Sequence, residues 1–135
     1  MKTIYIKMAA ILAFIIGAMA VFSGMQVLLG KDPGYTVLGW LPVYNYTMGF
    51  LTALVTSVLL WTNSKLAVPA AVTTISLHAL AMLILQTTFR GIVAAESVEA
   101  MTVRLVTWSV IMVLVYVQKR KDSAVEKTTL VAQRN

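Results

Sequence analysis

Four apolar runs, each close to the length needed to cross a lipid bilayer, take up most of this chain and leave little else to fold. A helix needs about 20 apolar residues to traverse the hydrocarbon core. Met8 to Leu29 meets that length without a charge, and Tyr44 to Trp61 is shorter but also charge-free. Pro69 to Phe89 is the third run, and Val98 to Val117, which carries Arg104, is the fourth. None shows the period-two alternation of a membrane barrel strand. The expected fold is all-α, an integral membrane four-helix antiparallel bundle. Its helices are expected over about 4–29, 44–62, 66–89 and 97–118, within one domain spanning 1–118 and followed by a polar cytoplasmic tail, 119–135.

Composition points the same way. Only 12% of the 135 residues are charged and 59% are hydrophobic, whereas soluble domains carry about 25% charged residues. A small water-soluble domain buries only part of its surface and could not hide that much apolar area. The net charge of +6 sits at segment ends and not in a patch. It reads as a topology signal and as contact with anionic lipid head groups, not as a nucleic-acid footprint. The absence of cysteine excludes disulfides, thiolate metal sites, iron–sulfur clusters and a thiol relay.

Lys2 and Lys7 precede a run that contains Ala18-Met19-Ala20, which resembles a secretory signal with its cleavage site. The run continues past that site to Leu29, longer than a signal's apolar region, so a retained first helix is expected. In the first connection, Asp32-Pro33-Gly34 reads as a tight turn. Trp40, Tyr44 and Tyr46 fit an interfacial aromatic belt, and Pro42 suits the opening of the second helix. The short Asn63-Ser64-Lys65 connection makes the second and third helices a hairpin. The third then starts either at Pro69 or near Ser64 with a kink. Gly91 suits a helix stop. Beyond Val117, the segment Gln118-Lys119-Arg120-Lys121-Asp122 is stop-transfer-like, and the tail after it either extends the helix or is disordered.

Of the eleven Lys and Arg residues, Lys2, Lys7, Lys65, Lys119, Arg120, Lys121, Lys127 and Arg134 fall on one side of such a bundle. Lys31, Arg90 and Arg104 fall on the other. Positive charge accumulates on the cytoplasmic side, so both termini are expected there, in the inner (plasma) membrane.

Lipid tails are as apolar as leucine, so helices associate through close approach at small residues. Ala13, Gly17, Ala20 and Gly24 form such a stripe on the first helix. Gly49, Ala53 and Ser57 form one on the second, with Asn45 a turn earlier. Both are expected to face other helices, within one chain or across a homo-oligomer.

An ionisable residue at membrane depth is a functional candidate by default. His78 lies mid-way along the third helix, with Thr74, Met82 and Gln86 at multiples of four from it. It reads as an interior histidine bonded to Thr52, Thr56 or Ser57, or as a proton-carrying group or haem ligand. A lone histidine gives one ligand per chain, so a bis-histidine haem would need a second copy. Arg104 can snorkel to the outer interface, pair with Glu96 or Glu99 from another helix end or subunit, or stack on Trp108. Glu96 and Glu99 themselves suit a helix N-terminus. Together with Gln26, the residues Gln86, Arg90, Glu96, Glu99 and Arg104 make a polar set near the outer face.

No P-loop, dinucleotide fingerprint or H-E-x-x-H is present. The first helix lacks the embedded carboxylate of small multidrug exporters, and the quinone-reducing four-helix enzymes need cysteines. No enzymatic activity and no cofactor are expected. The stretch Glu96-Ser97-Val98-Glu99-Ala100-Met101-Thr102-Val103-Arg104, followed by Trp108, resembles the last helix of small uncharacterised bacterial four-helix membrane proteins. The overall plan is similar to that of DoxX-like proteins. The resemblance implies a four-helix plan and no particular activity. The expected partners are the lipid bilayer and either another membrane protein or a second copy. The expected role is that of an accessory or interaction protein, the alternative being an oligomeric small-solute or ion transporter using His78 and the outer charges.

Overall fold

A computed structural model describes residues 3–134. These form four long helices: α1 (Ile4–Leu28), α2 (Leu41–Trp61), α3 (Ala67–Thr87) and α4 (Ala95–Arg134). By length and apolar composition, all four are able to cross a membrane. An apolar run that leaves water can satisfy its backbone only internally, which is why such segments become helices.

The helix ends follow local chemistry. α1 and α2 both stop in Schellman motifs. After α1, Gly30 takes a left-handed φ of 88°, its N–H bonds Val27 O at 2.9 Å, and the Lys31 N–H bonds Gln26 O at 3.0 Å. After α2, Asn63 plays the same part at φ 51°, with Asn63 N–H to Leu60 O and Ser64 N–H to Leu59 O, both at 3.0 Å. A left-handed residue at this position satisfies carbonyls that the helix leaves open. In the first connection the Asp32 carboxylate accepts from the Gly34 N–H at 2.8 Å.

Several boundaries differ from the sequence expectation. α2 opens at Leu41, ahead of 44, because Pro42 sits in its first turn, where a missing N–H has no intrahelical partner to lose. α3 opens at Ala67, between the two expected starts. Pro69 lies in its first turn and needs no kink for the same reason. α3 ends at Thr87, and Gly91 is not among the residues with positive φ, so it is not a left-handed cap. α4 is continuous to Arg134, so the polar tail extends that helix.

α2 contains a π-helical turn over Leu51–Thr56. Its buried residues come in pairs four apart: Met48 and Gly49, Thr52 and Ala53, Thr56 and Ser57. On an ordinary α-helix, positions four apart drift about 40° around the axis at each step. The wider π turn slows that drift and keeps the pairs facing the same neighbours. Ser57 Oγ donates to Ala53 O within this stretch.

α1 packs against α2 and α4, and α3 packs against α4 and more lightly against α2. The α1–α2 contact is backbone on backbone. A Cβ added at Gly17 would lie 2.7 Å from Ala53 N and 2.8 Å from Gly49 O; one at Gly24 would lie 2.7 Å from Pro42 O and Tyr46 N. The facing Gly49 would meet Gly17 O and Val21 N at 2.7 Å. Ala13, Ala20 and Ala53 line the same contact region and are buried.

Two apolar clusters fill the interior. The larger joins Ile6, Ala9, Ala10 and Ala13 of α1 with Leu60, with Ala67 and Ala71, and with Trp108, Ile111 and Val115 of α4. The smaller joins Leu41, Ala81, Leu85 and Met101.

Candidate functional site

Between the two apolar clusters lies a group of polar side chains contributed by α2, α3 and α4. His78 is 4% exposed, and its Nδ1 stands 2.7 Å from the Tyr44 hydroxyl. The two rings meet edge-on, with centroids 5.9 Å apart. On its other side the imidazole lies 6.3 Å from the Trp108 ring. Tyr44 is held in turn by Trp40, edge-on at 5.9 Å, and Trp40 packs on Phe89 at 6.2 Å. One turn earlier on α3, Thr74 Oγ1 is 3.4 Å from Thr56 Oγ1 and donates to Ala70 O at 2.8 Å.

The expected histidine partners Thr52, Thr56 and Ser57 are therefore not the ones used. Tyr44 takes that place, having turned inward from the aromatic belt in which its sequence neighbourhood put it. The inward face of α3 also differs. Its buried residues are Ala67, Ala71, Thr74, His78, Ala81 and Leu85, alternating steps of four and three. Gln86 is exposed and Met82 only half-buried. Steps of four alone walk about 80° around a helix in two strides, which carries Gln86 off the face of His78.

Arg104 is 7% exposed and does not snorkel. Its Nη1 donates to Asn45 Oδ1 at 2.5 Å. A guanidinium has five N–H donors, and among the described residues this one bond to an amide is what Arg104 makes. No carboxylate ion-pairs with it there. Burying a charge without a counter-charge costs several kcal/mol even after relaxation, so this is the least compensated group in the core. A helical side chain lies over the turn N-terminal to its own Cα, which lays Arg104 over Ala100 and Met101, both of which line a cavity with it.

Three cavities meet at Arg104. The first, about 90 Å³, carries the polar side chains Ser23, Tyr35, Asn45 and Ser97. The second, about 340 Å³, is a groove between α1 and α4 that also reaches Glu96 and Glu99. The third, about 10 Å³, is shared with His78, Thr52 and Trp108, close to the smallest space that a water needs. Thr52 Oγ1 and Trp108 Nε1 border it and have no hydrogen-bond partner among the described residues. Buried polar atoms are nearly always paired, so this pair marks the small cavity as polar.

Of the expected outer polar set, the structure brings Glu96, Glu99 and Arg104 to one groove. Arg90 and Gln86 are exposed and do not border it. Sequence reasoning missed Tyr44 as the half-buried partner of His78 and Asn45 as the partner of Arg104. Tyr44, Met48, Thr52 and Thr56 follow one another at steps of four, and that spacing was the available signal. Among the described residues no three His, Cys, Asp or Glu side chains gather as a metal site would require.

At the far end, Lys119 Nζ donates to Asn63 Oδ1 at 2.9 Å. Lys121 Nζ reaches the Tyr5 hydroxyl at 3.1 Å and lies over its ring. Lys7 lies 5.0 Å over the Trp61 ring. These contacts tie together α4, the start of α1 and the end of α2. Comparison with known family models, with curated proteins and with solved structures finds no match.

Proposed function

We propose that this chain is a non-enzymatic, multi-pass protein of a bacterial inner membrane, built as an antiparallel four-helix bundle with both termini in the cytoplasm. Its role is that of an accessory or interaction protein, which binds another membrane protein or a second copy of itself. Support for the antiparallel plan comes from the order of contacts: Gly17 faces Ala53 while Gly24 faces Tyr46, so numbers fall along α2 as they rise along α1. The distribution of Lys and Arg supports the orientation, and the overall plan is similar to that of DoxX-like proteins.

The observation that carries the binding role is the larger apolar cluster. Ile6, Ala9, Leu60, Ala67 and Ile111 are all 0% exposed and close the bundle on the side of the termini. The polar groups around His78 and Arg104 thus form a site with one open end, suited to holding a group and not to passing one through. The test combines solution mass in detergent with a liposome flux assay. Binding without flux is the expected result, and flux through a strict monomer would overturn it. A C-terminal alkaline phosphatase fusion is expected to be inactive.

A second reading, an oligomeric small-solute or ion transporter, draws on the Tyr44–His78 and Arg104–Asn45 pairs in the core. It requires oligomers in detergent and a flux that His78→Phe abolishes.

A further inference from the structure

We propose that the groove between α1 and α4 binds a zwitterionic phospholipid of the phosphoethanolamine class, with the phosphate on Arg104 and the ammonium on Glu96 and Glu99. The proposal rests on the membrane placement above. Arg104 is only 7% exposed, has Asn45 as its bonded partner, and borders the 340 Å³ groove. Its remaining N–H donors find no acceptor among the described residues. A planar guanidinium with donors to spare matches the oxygens of a phosphodiester.

The groove is not uniformly cationic. Glu96 and Glu99 border it as well, and both are exposed. Along α4 they precede Arg104 by about two turns and just over one turn, which puts their Cα atoms about 12 Å and 8 Å nearer the helix start. The groove therefore runs from negative at the mouth to positive further in. The apolar side chains of Ile16, Met19 and Val103 line its walls. Met19 is 59% exposed and Val103 50% exposed, so these walls open onto the flank of the bundle that faces acyl chains in a bilayer.

That order selects the ligand. Going outward from the acyl chains, a phosphoethanolamine lipid presents apolar tail, phosphate and then primary ammonium. The groove presents apolar wall, guanidinium and then carboxylates. A purely anionic head group meets the same arginine but is repelled by the two carboxylates. A quaternary ammonium has no N–H to donate to them. A free zwitterion leaves the apolar wall unused.

The experiment is native mass spectrometry of the full-length protein, delipidated and then titrated with phosphatidylethanolamine, phosphatidylglycerol or phosphatidylcholine of matched chains. The wild type is expected to retain phosphatidylethanolamine about tenfold better than either competitor, the scale of one charge-assisted hydrogen bond. Arg104→Gln keeps a donor for Asn45 and removes the charge; it is expected to lose that retention. Glu96→Gln with Glu99→Gln, on exposed positions that leave the fold alone, is expected to reverse the preference towards phosphatidylglycerol. Equal retention of the three lipids by the wild type, or an unchanged preference in the double glutamate variant, would overturn the proposal. So would binding of glycerophosphoethanolamine, which lacks acyl chains, as tightly as the lipid. An active C-terminal alkaline phosphatase fusion would instead overturn the orientation, whatever the lipid selectivity.

Discussion

The Tyr44 hydroxyl and His78 Nδ1 lie 2.7 Å apart, joining α2 to α3 between the two apolar clusters. Each group supplies what the other needs, a phenolic O–H against a ring nitrogen. Losing one partner leaves the other buried and unpaired, which costs about 1–3 kcal/mol. Tyr44→Phe and His78→Leu are each expected to lower stability in detergent by that amount. The double variant should cost less than the sum, with a coupling of about 0.5–3 kcal/mol. Strict additivity in a thermal or denaturant melt would mean that the pair contributes nothing jointly.

Gly17→Ala and Gly49→Ala are expected to spread α1 from α2 and destabilise the bundle by about 1–3 kcal/mol, the range for overpacking. Gly39→Ala and Gly91→Ala are the controls, because a Cβ at either meets nothing within 4 Å and neither has a positive φ. Melting curves in one detergent compare all four. If the first two matched the controls, the backbone contact would not hold the helices together.

Left-handed geometry gives a separable prediction. Gly30→Ala places a Cβ in open space but at φ 88°, so its cost, about 1–2 kcal/mol, is conformational alone. Asn63→Gly keeps the left-handed turn and deletes the acceptor of Lys119 Nζ. It is expected to stay within about 1 kcal/mol of wild type, the net scale of one hydrogen bond. A larger loss in the second variant than in the first would reverse the assignment.

How much of this was legible in sequence varies by feature. The small-residue stripes on α1 and α2 were readable because close packing needs a particular residue type at a particular spacing, and glycine at steps of three and four is hard to mistake. The partner of Arg104 was not. A charged side chain near a helix start has carboxylates as near neighbours in sequence, whereas Asn45 is 59 residues away and is brought there by the α1–α2 contact. Tyr44 was misplaced for a related reason. An aromatic next to Trp40 near a segment end satisfies the rule for an interfacial belt, and only the rotation of α2 decides whether the ring faces lipid or His78. The π turn had no sequence mark apart from the four-residue spacing of Gly49, Ala53 and Ser57.

The polar end of α4 supplies a further prediction. Residues from Ser123 to Arg134 are exposed, and the hydrogen bonds of Thr128 and Thr129 stay within the helix. The ties to the bundle come earlier, at Lys119 and Lys121. A stop codon after Asp122 is expected to reduce helical signal in circular dichroism while leaving the melting temperature of the bundle unchanged. A drop of more than a few degrees would reveal a packing role for the segment.

α4 is unbroken over 40 residues and so is about 60 Å long, twice the thickness of a hydrocarbon core of about 30 Å. Its exposed end therefore stands clear of the apolar clusters as a stiff arm, with the tip about 45 Å along the axis from Arg104, and a tilt of α4 by a few degrees about the level of Arg104 would carry that tip through several ångströms.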